Sequence, residues 1–232
     1  MRKVRLANER GRSELGWLSS AHTFSFGEYH DHEQMGFRSL RVINEDRVAK
    51  GKGFGAHPHR DMEIVTWVLS GALRHEDSMG NGSVIQPGDL QRMSAGTGVV
   101  HSEWNASADE PVHFLQIWIV PAKGGIPPSY EQRSFPAEER QNRLRLVVSP
   151  DGMEGSVRIH QDATLRIGSL DAGANVKQAL ALDAGAWLQV LRGCVRLGDL
   201  VLDTGDGVAV AGEPVLEIAA DTPAEILLFE LP

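Results

Sequence analysis

His57-Pro58-His59 and, further along the chain, His101-Ser102-Glu103 are the groups best arranged for chemistry. Each pair has i, i+2 spacing. On an extended strand successive side chains alternate, so each pair shares one face, with its members roughly 7 Å apart. Two such pairs on neighbouring strands aim three imidazoles and a carboxylate at one point, the donor set of a divalent transition metal. Pro58 cannot donate to a sheet ladder and suits the start or edge of a strand. Gly51, Gly53 and Gly55 permit a close turn into it.

Glu63 competes with Glu103 for the fourth position. It shares parity with His59, but four residues along a straight strand carry it ~13 Å away. It reaches a shared ion only if the strand bends between Arg60 and Met62. Glu103, adjacent to His101 on one face, is the expected ligand and proton acceptor; Glu63 is the alternative ligand or a hydrogen-bonded wall residue. His75 and His113 lie in strand-like segments and read as satisfied histidines beside the pocket. His22, His30 and His32 belong to an aromatic N-terminal region with Phe24, Phe26 and Tyr29 that either covers a pocket mouth or packs as an arm. Asp31 and Glu33 beside His30 and His32 make a second, weaker metal candidate. Trp67, Trp104 and Trp118 read as core or pocket-wall aromatics.

Short β-rich runs position these groups: Phe37 to Ile43, Glu63 to Leu69, Val112 to Val120, Arg143 to Val148, Trp187 to Leu191, Val195 to Leu202 and Ala224 to Leu231. Clusters such as Pro87-Gly88-Asp89 and Asp203-Thr204-Gly205-Asp206 separate them. Helical periodicity is weak, with one short helix expected near Pro136 to Gln141. Many short strands with glycine-rich turns indicate an all-β sandwich or barrel. The halves also repeat. Gly71 aligns with Gly193, Gly88 with Gly205 and Ala108 with Ala220, at offsets of 122, 117 and 112 residues. At the first offset His57 and His59 fall on Ala179 and Ala181, and no histidine follows His160. Metal chemistry therefore belongs to the first half.

The 232 residues suffice for two cores, and a net charge of -8 gives little reason to bind nucleic acid. No secretory signal or membrane span is expected, and the single cysteine, Cys194, has no partner for a disulfide. The expected location is the cytoplasm.

Gly51-x5-His57-x-His59-x3-Glu63 resembles the first cupin motif, although seven residues rather than six precede Gly71. Gly98-x2-His101-x3-Asn105 resembles the end of the second, with Gly96 where proline is usual. The stretches His22-Thr23-Phe24-Ser25-Phe26, His57 to Glu63 and Met93 to Glu103 are similar to the pirin family, above all to its bacterial bicupin members described as quercetin 2,3-dioxygenases. The resemblance spans essentially the whole chain. It implies two cupin-type β-barrels (double-stranded β-helices), an N-terminal one over 1–135 and a C-terminal one over 136–232 without metal ligands. It implies one metal per chain at His57, His59, His101 and Glu103, usually Fe(II), with Zn, Cu, Ni, Co or Mn as alternatives. A flavonol such as quercetin and O₂ are the implied substrates, with ring opening and loss of carbon monoxide. The rival reading is a metal- or redox-sensing pirin that regulates a protein partner. A sugar-phosphate isomerase ranks last, because only Arg60 and Arg92 stand near to hold a phosphate.

Overall fold

Strand formation follows the β-branched and aromatic runs, and the turns follow glycine. In the computed structural model, which describes residues 1–181 and 183–232, the chain divides into two compact units. One comprises residues 11–134 and 157–161; the other comprises 1–10, 135–156 and 162–232. The sequence reading divides the chain once, at 135/136; these units cross that division at two places. No helix among the described residues is long and apolar enough to cross a membrane.

The first unit is two antiparallel sheets packed face to face. The larger runs Ser129–Ser134, Asp89–Ser94, Glu63–Ser70, Val112–Ile119, Leu40–Val48, Leu18–His22, Gly11–Glu14 in spatial order. The smaller runs Gly53–His59, Val99–Asn105, Leu73–Asp77, Gly82–Ile85. Leu73 and Ile85 of the smaller sheet meet Val48, Val68, Val112 and Phe114 of the larger, forming an apolar plug. Ile64, Met93, Ala95 and Val99 form a second, separate plug. Between the two the sheet interior is polar, and that gap is where the site lies.

The second unit repeats the plan. Its sheets run Arg2–Arg5, Gly207–Ala211, Gly185–Arg192, Ala224–Leu231, Thr164–Leu170, Arg145–Ser149, and Asn175–Ala179, Val215–Ala220, Cys194–Leu197, Leu200–Asp203. One continuous apolar cluster fills it, including Leu188, Val208, Leu216, Ile218 and Leu228. The duplication is visible at the turn glycines. Gly71 and Gly193 both have positive φ (76° and 79°), and a Cβ would strike the carbonyl of Pro111 at 2.7 Å and of Pro223 at 2.1 Å respectively.

Several expected elements differ in detail. Val195 to Leu202 is a hairpin rather than one strand: Leu197 pairs with Leu200 around Gly198, whose φ is +59°. The strand expected from Phe37 begins at Leu40, because Phe37 and Leu40 close a tight bridge on each other. The helix is a single turn, Ala137–Arg140.

Candidate metal centre

The Gly53–His59 strand lies at the edge of the smaller sheet, where Pro58 forfeits no interior ladder bond. It pairs antiparallel with Val99–Asn105, which sets His57 directly opposite His101 and His59 opposite Val99. The register shifts between His101 and Glu103, so that Glu103 faces Phe54. Gly53 makes the close pairing possible: a Cβ there would stand 2.2 Å from the Glu103 carbonyl oxygen. The ring centroids of His57 and His101 are 4.4 Å apart, and His59 lies 4.8 Å from each. Ligand atoms of the three imidazoles fall within 4.8 Å of one another, as do those of His75, His101 and Glu103.

The electrostatics suit a cation. Burial, then the neighbouring His57, lowers the His59 pKa to about 4. Burial, then His57, His59 and His75, lowers that of His101 to about 2. The rings of His59 and His101 are therefore neutral, with lone pairs to offer. Burial raises the Glu103 pKa to about 7 against a hydrogen bond from Gln116, whose Nε2 donates to Oε2 at 2.8 Å. Two buried atoms at this point, His101 Nε2 and Glu103 Oε1, have no hydrogen-bond partner. A divalent ion would satisfy both and would favour the ionised carboxylate. The donor set fits an N₃O first-row metal site.

A cavity of about 330 Å³ opens onto His57, His59 and Glu103. Leu18, Phe26, Phe54 and Trp118 give it apolar walls; Ser20, His22, Asn44, Asp46 and Gln116 give it a polar one. His22, Asn44 and Gln116 of this wall belong to one rung across the larger sheet, in which His22 faces Asn44, Asn44 faces Gln116, Gln116 faces Thr66, and Thr66 faces Gln91. Thr66 Oγ1 donates to Gln116 Oε1 at 3.3 Å, and His22 Nδ1 lies 2.8 Å from Asn44 Oδ1. The Ser20 hydroxyl donates to Asp46, whose pKa burial pushes up to about 7.

A family model described as Pirin matches residues 3–119, and one described as quercetinase C-terminal cupin domain matches residues 146–231. The chain is 47% identical over 229 residues to a quercetin 2,3-dioxygenase of Escherichia coli strain K12, covering 99% of this chain and 98% of that protein. The chain belongs to the pirin family. Its two barrels are the N- and C-terminal cupin domains of a pirin, a bicupin fold. The crystal structure of YhhW from Escherichia coli superposes with a TM-score of 0.97 at 47% identity, covering 100% of this chain and 98% of that one. That of the bacterial pirin YhhW in complex with nickel(II) gives 0.96 at 46% identity, covering 100% and 99%.

In this pirin Glu63 stands apart from the imidazoles. The strand that carries His57 and His59 ends at His59, Asp61 turns the chain with a φ of +48°, and Glu63 opens a strand of the other sheet. Ile64, Thr66 and Val68 face the barrel interior, so Glu63 faces the opposite side. There it accepts the Ser94 hydroxyl at 2.9 Å and lies 3.4 Å from His160 Nδ1. His75 is buried and hydrogen-bonded, as expected of a core histidine, and it also touches His101. His113 pairs with Glu45 at 2.9 Å. His22 lines the cavity, whereas His30 and His32 are exposed and join no metal-ligating group among the described residues. Of the tryptophans expected in the core or a pocket wall, Trp118 lines the cavity and Trp67 is buried in the core. Trp104 sits one residue out of phase with Glu103, and Met62, Met79 and Met93 belong to an apolar plug. Asn44, Asp46, Thr66 and Gln116 escaped the sequence reading. For Thr66 and Gln116 the signal was a polar residue inside an otherwise apolar run, as in Leu115-Gln116-Ile117.

Proposed function

We propose that this pirin is a metal-dependent dioxygenase that opens the heterocyclic ring of a flavonol such as quercetin with release of carbon monoxide. The observation that carries the reading is the convergence of three imidazoles and a buried carboxylate at the wall of a largely apolar cavity. The names of the Escherichia coli relatives, and the nickel(II) in one of their structures, support the substrate class and the class of ion. His57, His59, His101 and Glu103 would hold the metal, iron(II) in this reading. That ion supplies Lewis acidity toward a substrate hydroxyl and the redox chemistry that O₂ requires.

The remaining work falls to the protein. Phe26, Phe54 and Trp118 accept the flat faces of the substrate and exclude water. Glu103 takes the proton of the flavonol 3-hydroxyl. Gln116 Nε2 donates to Glu103 Oε2 and holds the carboxylate in place. The polar rung of His22 and Asn44 offers partners to the hydroxyls on the far part of the substrate.

The test is carbon monoxide measured against flavonol consumed, with a metal-free control because flavonols oxidise slowly in air. Protein loaded with iron(II) or another first-row ion should release one CO per flavonol. Glu103→Gln keeps an oxygen for the ion but cannot accept a proton, so it should lose turnover by about 10²- to 10⁴-fold while keeping part of its metal. No CO above the control with any ion would overturn the dioxygenase reading in favour of a pirin that regulates a protein partner.

A further inference from the structure

On the side of His101 away from His57 lies another imidazole with no part in the ligand set. His75 stands opposite Glu103 on the neighbouring strand and is fully buried. Its Nε2 is 3.2 Å from Oδ2 of Asp77, whose side chain is also fully buried. Its Nδ1 is 3.4 Å from His101 Nδ1 and 3.4 Å from Gln91 Nε2. The Tyr130 ring stacks on it at 5.0 Å, which holds its plane.

The proton order along this chain follows from valence. Asp77 accepts hydrogen bonds from the backbone N–H of Met79 and Asn81 and from the Asn81 amide, so it presents oxygens only. The proton between Asp77 and His75 therefore sits on His75 Nε2. A neutral imidazole carries one N–H, so His75 Nδ1 is a bare acceptor, which agrees with the Gln91 amide donor aimed at it. Two ring nitrogens 3.4 Å apart attract only with a proton between them. That proton must belong to His101 Nδ1, and His101 Nε2, the buried atom without a partner, is left bare. His57 is set by a parallel device, its Nδ1 donating to the Gly55 carbonyl at 2.7 Å. The same accounting excludes His75 as a ligand, although its nitrogen lies within reach of His101 and Glu103. One of its nitrogens is protonated and the other already takes two donors.

We propose that Asp77 and His75 are positioning residues for the metal centre, fixing the proton of His101 on Nδ1 so that Nε2 is offered to the ion. The proposal rests on the reading of His101 as a ligand. Partners of this kind typically govern metal affinity by about 10- to 100-fold.

Nickel(II) or cobalt(II) affinity, measured by chelator competition, together with the cobalt(II) absorption spectrum, tests it on the full chain. His75→Asn keeps a carbonyl oxygen near the Nδ1 position but loses the reach to Asp77; it should bind within about 3-fold of wild type with an unchanged cobalt spectrum. His75→Leu removes the acceptor and should weaken binding about 10- to 100-fold. Asp77→Asn keeps an oxygen for the Met79–Asn81 turn but sets an N–H donor against His75 Nε2. The proton order then reverses, and affinity should fall about 10-fold. In the His75→Asn background the same Asp77→Asn change should cost nothing further. An equal loss in both backgrounds would make Asp77 merely structural and overturn the relay. So would wild-type affinity in His75→Leu. Should His75→Leu fail to fold, the Asp77→Asn pair decides alone. Wild-type protein that takes up no ion, or His101→Ala that binds as wild type, would instead overturn the ligand reading beneath the proposal.

Discussion

In the metal-centre unit Gln91, Thr66 and Gln116 stand side by side across three neighbouring strands. In the other unit the strands at the same places in the sheet carry Val208, Leu188 and Leu228, also side by side. The opposite sheets differ in the same way. Leu73 faces Asn105 in one unit, and Val195 faces Ala220 in the other. Stepping two residues at a time from those pairs sets His75 against Leu197, Glu103 against Ile218, and His101 against Leu216. All six apolar replacements belong to one buried cluster. The strand order is shared; the filling decides which barrel can hold an ion. The apolar barrel gains the hydrophobic burial that its partner forgoes. The polar barrel leaves His101 Nε2 and Glu103 Oε1 without hydrogen bonds, each at a cost of about 1–3 kcal/mol that a bound metal would offset.

The comparison breaks most sharply at His101. His101→Ala should make the first barrel as silent toward metal as the second. Dialysed protein should lose its one equivalent of ion, with affinity down by more than the about 100-fold that loss of an outer partner costs. It should also lose metal-dependent thermal stabilisation, which for the wild type at 100 Kd of free ion amounts to about 2.7 kcal/mol. Retention of a full equivalent by this variant would mean that the imidazole cluster is not what separates the two barrels.

Gln116→Leu carries the filling of the second barrel into the first. The Glu103 carboxylate loses its donor at 2.8 Å, so metal affinity should fall about 10-fold by chelator competition. Without metal, buried Glu103 Oε2 and the Thr66 hydroxyl lose this partner, so stability in urea should fall by about 1–3 kcal/mol. No loss of metal-free stability would show that the polar rung does not support the fold.

Asp46 offers the finest distinction, because a carboxyl buried in the polar barrel titrates where an apolar residue would not. Burial raises its pKa from 3.8 to about 7, so the folded state holds this proton more tightly than the unfolded chain. The contribution is therefore complete below about pH 4 and is lost as pH rises toward about 7. Asp46→Asn should remove that slope. Urea unfolding of the chelated proteins should give a wild-type-minus-variant difference that declines between those limits, and a flat difference would contradict the burial of this group.

The i, i+2 pairs made the donor set legible, because alternation along a strand is a local property and His57 and His101 need only be brought opposite each other. The duplication was equally legible, since turn glycines such as Gly71 and Gly193 answer to a close approach that both copies share. The face occupied by Glu63 was not. Parity counted through Arg60, Asp61 and Met62 assumes a continuous strand, and the positive φ of Asp61 starts a new one in another sheet. The rung of Asn44, Gln116, Thr66 and Gln91 was hidden for a different reason. Period-two reading assigns polar residues to the solvent face, and only long-range pairing shows that these point inward. The N-terminal Arg2–Arg5 strand pairs with Gly207–Ala211, a contact that no local pattern announces.

Anomalous diffraction at the absorption edge of the bound metal, from crystals of the loaded protein, tests the central claim most directly. The account predicts one strong peak per chain, about 2.0–2.2 Å from a nitrogen of each of His57, His59 and His101 and from an oxygen of Glu103. A peak coordinated by Glu63 and His160, or a second peak inside the apolar barrel, would contradict it.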